Sequence, residues 1–265
     1  MDLGFGGAAA VVVGGSRGMG LASARCLAEE GARVAVVGRS EADVAAAVGE
    51  LAGRGSPDAV GLVADVRDAA RVTSAFAELG RRWNGELNVL VNAVGPDVRG
   101  TFDVLTDEQW HDAVDDGVLS MVRCVRASLP MLRRAEWGRI VNFSAQSTQR
   151  QSASLAAYTA AKAMVTSASK NLSLLLARDE ILVNVVSPGT AVTPALVGWA
   201  ASVGVESDDP YRLMGLIDTE YGHAAQLPRA GMPDEIGAVV AFLASRRNSY
   251  MTGANVNVDG GSDFT

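Results

Sequence analysis

The chain has 265 residues and a formal net charge of −7, with 48% hydrophobic and 20% charged residues. This is the composition of a globular protein, and its acidic balance argues against nucleic acid as a partner, because nucleic-acid binding depends largely on clustered Lys and Arg. The apolar run 8–13 follows no basic stretch and is too short to span a membrane. We therefore expect one soluble, cytoplasmic domain over residues 1–265 with no membrane partner.

The first unit of the chain reads as strand, glycine-rich turn, helix and second strand. Apolar runs at 8–13 and 33–37 predict buried strands, and 21–30 has a helical pattern. Glycines in such a turn let the backbone approach a pyrophosphate, and the helix N-terminus offers unpaired N–H groups, whereas a simple tight turn needs only one or two glycines. The sequence predicts a dinucleotide-binding loop that includes Gly14, Ser16, Arg17, Gly18, Met19 and Gly20.

The residues after the second strand indicate which dinucleotide the loop binds. Recognition of NAD usually places a carboxylate there for the ribose 2′-hydroxyl, whereas a 2′-phosphate requires arginine. This chain has Arg39 and Ser40 at that point and no acidic residue before Glu41. Arg17 can supply a second arm of a phosphate clamp. We predict NADP(H) as the preferred cofactor, with NAD(H) as the alternative.

Short apolar runs and helical patterns alternate along the rest of the chain. Further strands are predicted at 60–63, 87–91, 139–143, 181–186 and 254–258. Further helices are predicted at 41–53, 69–83, 110–129, 152–177 and 233–245, the third after a capping box at 106–109 and before Pro130. Repeated β-α units predict an α/β, Rossmann-like, doubly wound parallel sheet of about seven strands with helices on both faces.

The pattern weakens over residues 194–228, where aromatic residues alternate with acidic residues and glycines. We expect one or two short helices that lie over the cofactor cleft as a small substrate lid, although an ordinary packed insertion gives the same pattern. Trp199, Met214 and Tyr221 suit a mainly apolar substrate.

Tyr158 and Lys162 are four residues apart in an alanine-rich stretch and so share one face of a predicted helix. A phenol with a pKa of about 10 needs its anion stabilised before it can exchange protons at neutral pH. One cation at roughly 4 Å contributes about 4 kcal/mol, or up to about three pKa units. We expect Tyr158 to be a general acid or base whose pKa Lys162 lowers. An isolated pair of this kind is usually structural, so the rest of the pattern must support the assignment.

Metal chemistry is not expected. His111, His223, Cys26 and Cys124 have no partners at metal-ligand spacing, and both cysteines fall in predicted helices.

Together the motifs resemble the short-chain dehydrogenase/reductase family over essentially the full chain, nearest to its 3-oxoacyl thioester reductase branch. The matching motifs are the glycine loop, Asp65-Val66, Asn92-Ala93-Val94-Gly95, Tyr158 with Lys162, Pro188-Gly189 with Thr193-Pro194, and Val258-Asp259-Gly260-Gly261. The resemblance implies hydride exchange between the nicotinamide and a carbonyl or alcohol carbon, the activity of a ketoreductase or alcohol dehydrogenase (EC 1.1.1 type). It also implies a homo-oligomer, either a dimer or the homotetramer common in the family.

The resemblance further implies roles for individual residues. Tyr158 is the general acid or base, and Lys162 also holds the nicotinamide ribose. The other implied cofactor contacts are Asp65 and Val66 at the adenine, Asn92, Ala93 and Gly95 at the adenosine side and ribose, and Pro188, Gly189 and Thr193 at the nicotinamide amide.

Two departures from the family pattern concern the cofactor site. Val13 stands where the family has threonine at the start of the glycine loop, and Ala93 stands at the second position of Asn-Asn-Ala-Gly. Neither change should abolish binding, because backbone groups make much of the contact.

Two further departures concern catalysis. The family's substrate-polarising serine falls at Ala145, so we hypothesise that a one-residue shift gives this role to Ser144, with Ser147 or Gln146 as substitutes. The alternative is that Ser144 only satisfies backbone groups at the strand end. The family's asparagine falls at Gly117, which we expect to admit a water molecule or a substrate group.

These departures leave two functions open. The first is an NADP(H)-dependent oxidoreductase for a carbonyl or alcohol substrate. The second is an NADP(H)-binding protein with a degenerate catalytic site that acts through assembly or partner contact.

Overall fold

The computed structural model describes residues 2–222 and 225–262, which build one parallel sheet of seven strands in the order β3-β2-β1-β4-β5-β6-β7. Its strands are β1 (Ala9–Val13), β2 (Arg33–Gly38), β3 (Ala59–Val63), β4 (Val89–Asn92), β5 (Gly138–Phe143), β6 (Ile181–Pro188) and β7 (Asn255–Val258). Every neighbouring pair is parallel, and the strand order reverses between β1 and β4. The predicted Rossmann-like, doubly wound fold is confirmed, and a reversal of this kind marks the crevice where such sheets bind ligands.

Helices cover both faces of the sheet. They are α1 (Gly18–Glu29), α2 (Glu41–Gly53), α3 (Ala69–Arg82), α4 (Asp107–Val114), α5 (Ser120–Leu132), α6 (Ala156–Leu176), α7 (Pro194–Ser202), α8 (Pro210–Tyr221) and α9 (Pro233–Ala244). Residues of α1, α2 and α9 form one hydrophobic core with the sheet, and residues of α3, α5 and α6 form the other. Val12 of β1 belongs to the first core and Val11 to the second, which explains why this strand is apolar at every position.

The single helix expected at 110–129 consists of three segments. The predicted capping box is confirmed, because the Gln109 N–H donates to Thr106 Oγ1 and the Thr106 N–H donates to Gln109 Oε1. A π-helical turn (Asp115–Leu119) then joins α4 to α5. The expected end before Pro130 was wrong, since α5 continues to Leu132. Leu132 is buried, and its packing holds the last turn although proline donates no hydrogen bond.

Two other segments position the site. A short 3₁₀ turn (Gln146–Thr148) follows β5, and α6 begins at Ala156, four residues later than predicted. The lid segment contains two helices, α7 and α8, while His223 lies outside the described residues. Within the described ranges no helix is both long and apolar enough to cross a bilayer.

Candidate active site

A cavity of about 400 Å³ opens at the carboxyl edge of the sheet, between the strand ends and the two lid helices. The predicted site residues that line it are Met19, Ala93, Gly95, Ser144, Tyr158, Lys162, Pro188, Gly189 and Thr193. The predicted residues that do not line it are Gly14, Ser16, Arg17, Gly18, Gly20, Arg39, Ser40, Asp65, Val66 and Asn92. The fold therefore brings together in one cleft the residues predicted for catalysis and for the nicotinamide, and leaves outside it most of those predicted for the rest of the cofactor.

The glycine loop lies at the start of α1. Arg17 is the N-cap residue but its side chain does not cap the helix, so the first-turn N–H groups have no side-chain partner. The loop is packed so closely on itself that a Cβ at Gly20 would overlap the Gly14 carbonyl oxygen. An open N-terminus beside a bare backbone surface fits the diphosphate of a dinucleotide, because its N–H groups and helix dipole favour anions.

Two arginines were predicted to bind a 2′-phosphate, and the structure places them differently. Arg39 is exposed at the end of β2 and forms no ion pair with any described residue. Arg17 lies with its Nε 3.4 Å from Asp43 Oδ2. Ser16 lies against Gly38, where a Cβ would be 2.8 Å from Ser16 Oγ. Ser16 thus lies beside the end of β2, which Arg39 directly follows, while Asp43 partly neutralises Arg17.

The residues predicted on the adenine side have structural partners of their own. Ser40 caps α2 by accepting a hydrogen bond from a backbone N–H. Asp65 Oδ1 accepts from the Arg67 backbone N–H at 2.9 Å. The Val66 carbonyl accepts from Arg123 Nη1 at 3.2 Å. These contacts fix the ends of β2 and β3, and the cofactor roles of the three residues remain predictions.

A chain of side-chain hydrogen bonds links β4, β5 and α6 beneath the cleft. Asn92 Nδ2 donates to Asn142 Oδ1 at 2.8 Å, and Asn142 Nδ2 donates to Ser169 Oγ at 2.9 Å. Asn92 Oδ1 is buried with no hydrogen-bond partner among the described residues. Asn92 therefore positions the strand end that presents Ala93 and Gly95 to the cleft.

Lys162 is buried and anchored to backbone. Its Nζ donates to the Phe143 carbonyl at 2.8 Å and to the Val94 carbonyl at 3.5 Å. Burial lowers the pKa of Lys162 to about 8. The two carbonyl oxygens compensate part of the cost of burying the ammonium group.

Tyr158 is partly buried on the same face of α6 and lines the cleft. Burial raises the pKa of Tyr158 to about 12, while the charge of Arg99 acts to lower the pKa and that of Asp97 to raise it. The expected lowering of this pKa by Lys162 is therefore not observed, since the effect of burial dominates and the ammonium group is bound to backbone carbonyls. With this pKa the phenol is protonated at neutral pH and is able to donate its proton.

The Ser144 hydroxyl is fully engaged with α6. It donates to the Lys162 carbonyl at 2.9 Å and accepts from Thr166 Oγ1 at 2.8 Å. These contacts correspond to the structural alternative, in which Ser144 satisfies backbone groups. The polarising role of Ser144 remains a prediction that this geometry does not favour.

The next three residues after Ser144 all line the cleft. Ala145 is buried and offers no donor. Gln146 Oε1 is buried without a hydrogen-bond partner among the described residues. Ser147 Oγ accepts from Thr159 Oγ1 at 3.3 Å, which leaves the Ser147 hydroxyl hydrogen available. Ser147 is thus the hydroxyl of this loop best able to donate into the cleft.

Gly117 lies buried in the π-helical turn between α4 and α5. A Cβ there would be 3.0 Å from the Ala161 Cβ and 3.2 Å from Pro96 Cδ. Ala161 and Pro96 thus occupy the Cβ side of Gly117, and the admission of a water molecule or substrate group there remains a prediction that this packing does not favour. Sequence analysis missed Pro96, although it directly follows the strand-four motif.

The lid side of the cleft contains a cluster that sequence analysis also missed. Arg99 Nη1 donates to Tyr221 Oη at 3.2 Å, and its guanidinium lies 5.3 Å from the centroid of the Trp199 ring. Asp97 lines the same wall. Met214, which we expected to face the substrate, is instead buried in a small core beneath the lid. The lid end of the cleft is therefore aromatic and charged as well as apolar.

Comparisons with known proteins extend over nearly the whole chain. A family model described as enoyl-(acyl carrier protein) reductase matches residues 13–263. The 3-oxoacyl-(acyl-carrier-protein) reductase FabG of Escherichia coli is 33% identical over 262 residues, which cover 97% of this chain and 98% of FabG.

Two solved structures show the same similarity. L-sorbose reductase from Gluconobacter frateurii, complexed with NADPH and L-sorbose, superposes with a TM-score of 0.91 at 28% identity over 100% of both chains. A variant of actinorhodin polyketide ketoreductase with NADPH has a TM-score of 0.87 at 30% identity over 98% of both chains.

Proposed function

Because the chain belongs to the short-chain dehydrogenase/reductase family of oxidoreductases, we propose that it is an NADP(H)-dependent ketoreductase or alcohol dehydrogenase for a mainly apolar substrate. The observation that carries the proposal is that Tyr158 and Lys162 line one cleft with the first turn of α1 and the end of β6. Two similar structures bound to NADPH support the choice of cofactor.

The chain offers a partner for each part of NADP(H). The open N-terminus of α1 would hold the diphosphate, Arg39 with Ser16 the 2′-phosphate, and Lys162 the nicotinamide ribose. The remaining proposed contacts are Asp65 and Val66 at the adenine, Asn92, Ala93 and Gly95 at the adenosine side and ribose, and Pro188, Gly189 and Thr193 at the nicotinamide amide.

The bound nicotinamide supplies or accepts the hydride, and the residues of this chain handle the proton. In the direction of reduction, Tyr158 donates its phenolic proton to the oxygen of the carbonyl group that receives the hydride. Because the pKa of Tyr158 is raised to about 12, the phenol holds its proton throughout the neutral range. Lys162, with a pKa of about 8, carries a positive charge at neutral pH and lines the same cleft as Tyr158.

Ser147 polarises the substrate carbonyl in this proposal. Its hydroxyl hydrogen is available, it lines the cleft, and Thr159 holds its oxygen in place beside the helix turn that carries Tyr158. One preorganised donor to a developing oxyanion typically contributes about a hundred- to a thousand-fold in rate. Gln146 is the second candidate for this role because it also lines the cleft and its side-chain NH2 group can donate a hydrogen bond.

A homo-oligomer, dimer or tetramer, also belongs to the proposal. Leu174 and Leu175 on α6 are 70% and 64% exposed, and Tyr250 is 98% exposed. Exposed large apolar side chains of this kind are typical of surfaces that pair with another chain. Light scattering of the purified protein gives the subunit number directly.

The decisive experiment compares the wild type with Tyr158→Phe. We expect NADPH oxidation with a ketone, quinone or 3-oxoacyl thioester to fall by about a hundred- to ten-thousand-fold, because the variant has no proton to donate. The NADPH dissociation constant should stay within a few-fold, since the ring is retained. NADPH binding without any turnover that depends on Tyr158 would instead support a cofactor-binding protein with a degenerate catalytic site.

A further inference from the structure

Three charged residues line the cleft within the described part of the chain: Asp97, Arg99 and Lys162. Lys162 is buried and bound to two backbone carbonyls. Asp97 and Arg99 follow β4, are exposed, and line the cleft, and Arg99 contacts both lid helices. Proton transfer needs Tyr158 and Lys162, so the other two charges have no part in the proposed chemistry.

Arg99 is held in place from two sides. Its guanidinium carbon lies over the Trp199 ring of α7, 5.3 Å from the ring centroid, and its Nη1 donates to Tyr221 Oη of α8 at 3.2 Å. The two rings lie 5.7 Å apart and form a joint support. A guanidinium fixed in this way loses little conformational entropy when it binds a planar anion.

The charge of Arg99 is not neutralised by the protein. Arg99 forms no ion pair with any carboxylate of the described residues, including Asp97 two positions earlier in the chain. The Tyr221 contact uses one of its N–H groups, and no other described group accepts from it. Among the charges that act on the Tyr158 pKa, that of Arg99 has the larger effect and lowers the pKa. The charge of Arg99 therefore acts on Tyr158 and is opposed in part by that of Asp97.

An anionic group of the substrate would complete this arrangement. Carboxylates pair with guanidinium groups through two parallel hydrogen bonds, which gives both affinity and orientation. The cleft that Arg99 and Tyr158 line also includes Leu155, Leu196 and Ile217, which suit a short apolar chain.

We propose that Arg99, supported by Trp199 and Tyr221, is a specificity-determining residue that binds a carboxylate of the substrate. The preferred substrates are then oxo acids and the corresponding hydroxy acids, with a short apolar chain between the carboxylate and the reacting carbon. The inference rests on the proposed reductase function and names the substrate class of the same cleft.

The test uses methyl ketones that end in a carboxylate, starting from levulinate and extending to longer chains, together with their methyl esters. We expect the wild type to reduce at least one acid with a kcat/KM about ten- to a hundred-fold above that of its ester, as expected for one charge-assisted interaction. Arg99→Gln should remove this preference through a higher KM for the acid. The ester kinetics and the NADPH dissociation constant should stay within a few-fold.

Two further variants sharpen the result. Arg212→Gln removes an exposed positive charge from α8 outside the cleft and should leave the preference for the acid unchanged. Asp97→Asn removes a negative charge from the same wall and should increase the preference several-fold, because a substrate carboxylate is then repelled less. An Arg99→Gln variant that loses acid and ester activity equally would overturn the inference and leave Arg99 as a structural contact of the lid.

Binding of levulinate to the NADPH complex, measured by calorimetry, separates this inference from the proposed function. Binding that Arg99→Gln abolishes, without turnover of any ketone, would support the anion site and overturn the reductase proposal. Reduction of neutral ketones without preference for any acid would overturn the inference alone. The absence of both levulinate binding and ketone turnover would overturn the inference and the proposed function together.

Discussion

The proposed cofactor side and the proposed substrate side of the site are built from different kinds of group. On the cofactor side, the glycine loop and the start of α1 present backbone groups, and the close contact between Gly20 and Gly14 leaves no room for a side chain. On the substrate side, side chains from β5, α6 and the lid helices make the surface. Both sides depart from the family pattern, at Val13 and Ala93 on the first and at Ala145 on the second.

The consequences of these departures differ between the two sides. A backbone surface tolerates the exchange of one small side chain for another, because its donors are peptide groups that every residue carries. A catalytic surface does not, since the loss of one hydroxyl removes the donor itself. The cofactor side therefore keeps its shape, while the substrate side needs a replacement donor such as Ser147.

The largest effect on activity should come from a substitution on the substrate side. Ser147→Ala should lower kcat by about a hundred- to a thousand-fold, because the carbonyl oxygen loses its hydrogen-bond donor in the transition state. Adding Ala145→Ser to this variant should recover part of the loss, since position 145 lines the same cleft. Steady-state kinetics with saturating NADPH measures both changes.

Ser144→Ala is the matched control for Ser147→Ala. It also removes one buried hydroxyl, but from a group that is bound to Lys162 and Thr166, so we expect lower thermal stability and a kcat within a few-fold of wild type. The reverse outcome, in which Ser144→Ala loses turnover and Ser147→Ala keeps it, would restore the hypothesis of a shifted Ser144.

On the cofactor side, we expect a larger loss of NADPH affinity from adding a side chain to the glycine loop than from removing one. Gly20→Ala places a methyl group against the Gly14 carbonyl oxygen, and backbone cannot move away as a flexible side chain can. We expect the NADPH affinity to fall about a hundred-fold, equivalent to about 3 kcal/mol, within the cost of overpacking. Titration of NADPH fluorescence provides the measurement.

Gly49→Ala in α2 is the control for Gly20→Ala. No atom lies within 4 Å of the added Cβ at that position, so the NADPH affinity should not change. The helix should gain about 0.5–1 kcal/mol of stability, because alanine loses less conformational freedom than glycine. Unchanged NADPH binding in Gly20→Ala would contradict the assignment of the loop.

The smallest effect concerns the choice between the two dinucleotides. Arg39→Ala should weaken NADPH about ten-fold and leave NADH within two-fold, because only NADPH carries the 2′-phosphate. Arg17→Ala should have less effect, since Asp43 already neutralises part of the Arg17 charge. Equal weakening of NADPH and NADH in Arg39→Ala would rule out a phosphate contact at this position. Dissociation constants for both cofactors decide the point.

Much of this molecule follows from local patterns in the chain. Short apolar runs that end in glycine or small residues identified all seven strands within a few residues, and the capping box at Thr106 was identified correctly from its spacing. Pro130 was misleading because burial of the residues after it outweighed its helix-breaking tendency. Periodicity and turn chemistry are local properties, so they can be read from adjacent residues without knowledge of the fold.

The sequence by itself determined the family, the parallel sheet and the helix that carries Tyr158 and Lys162. Only the tertiary structure decided which groups surround them: Ser144 bound to α6, Gly117 closed off by Pro96 and Ala161, and Arg99 stacked on the lid. Arg99 and Tyr221 are 122 positions apart, and no local pattern relates them. The pKa values of Tyr158 and Lys162 likewise depend on burial, which arises only when distant segments pack together.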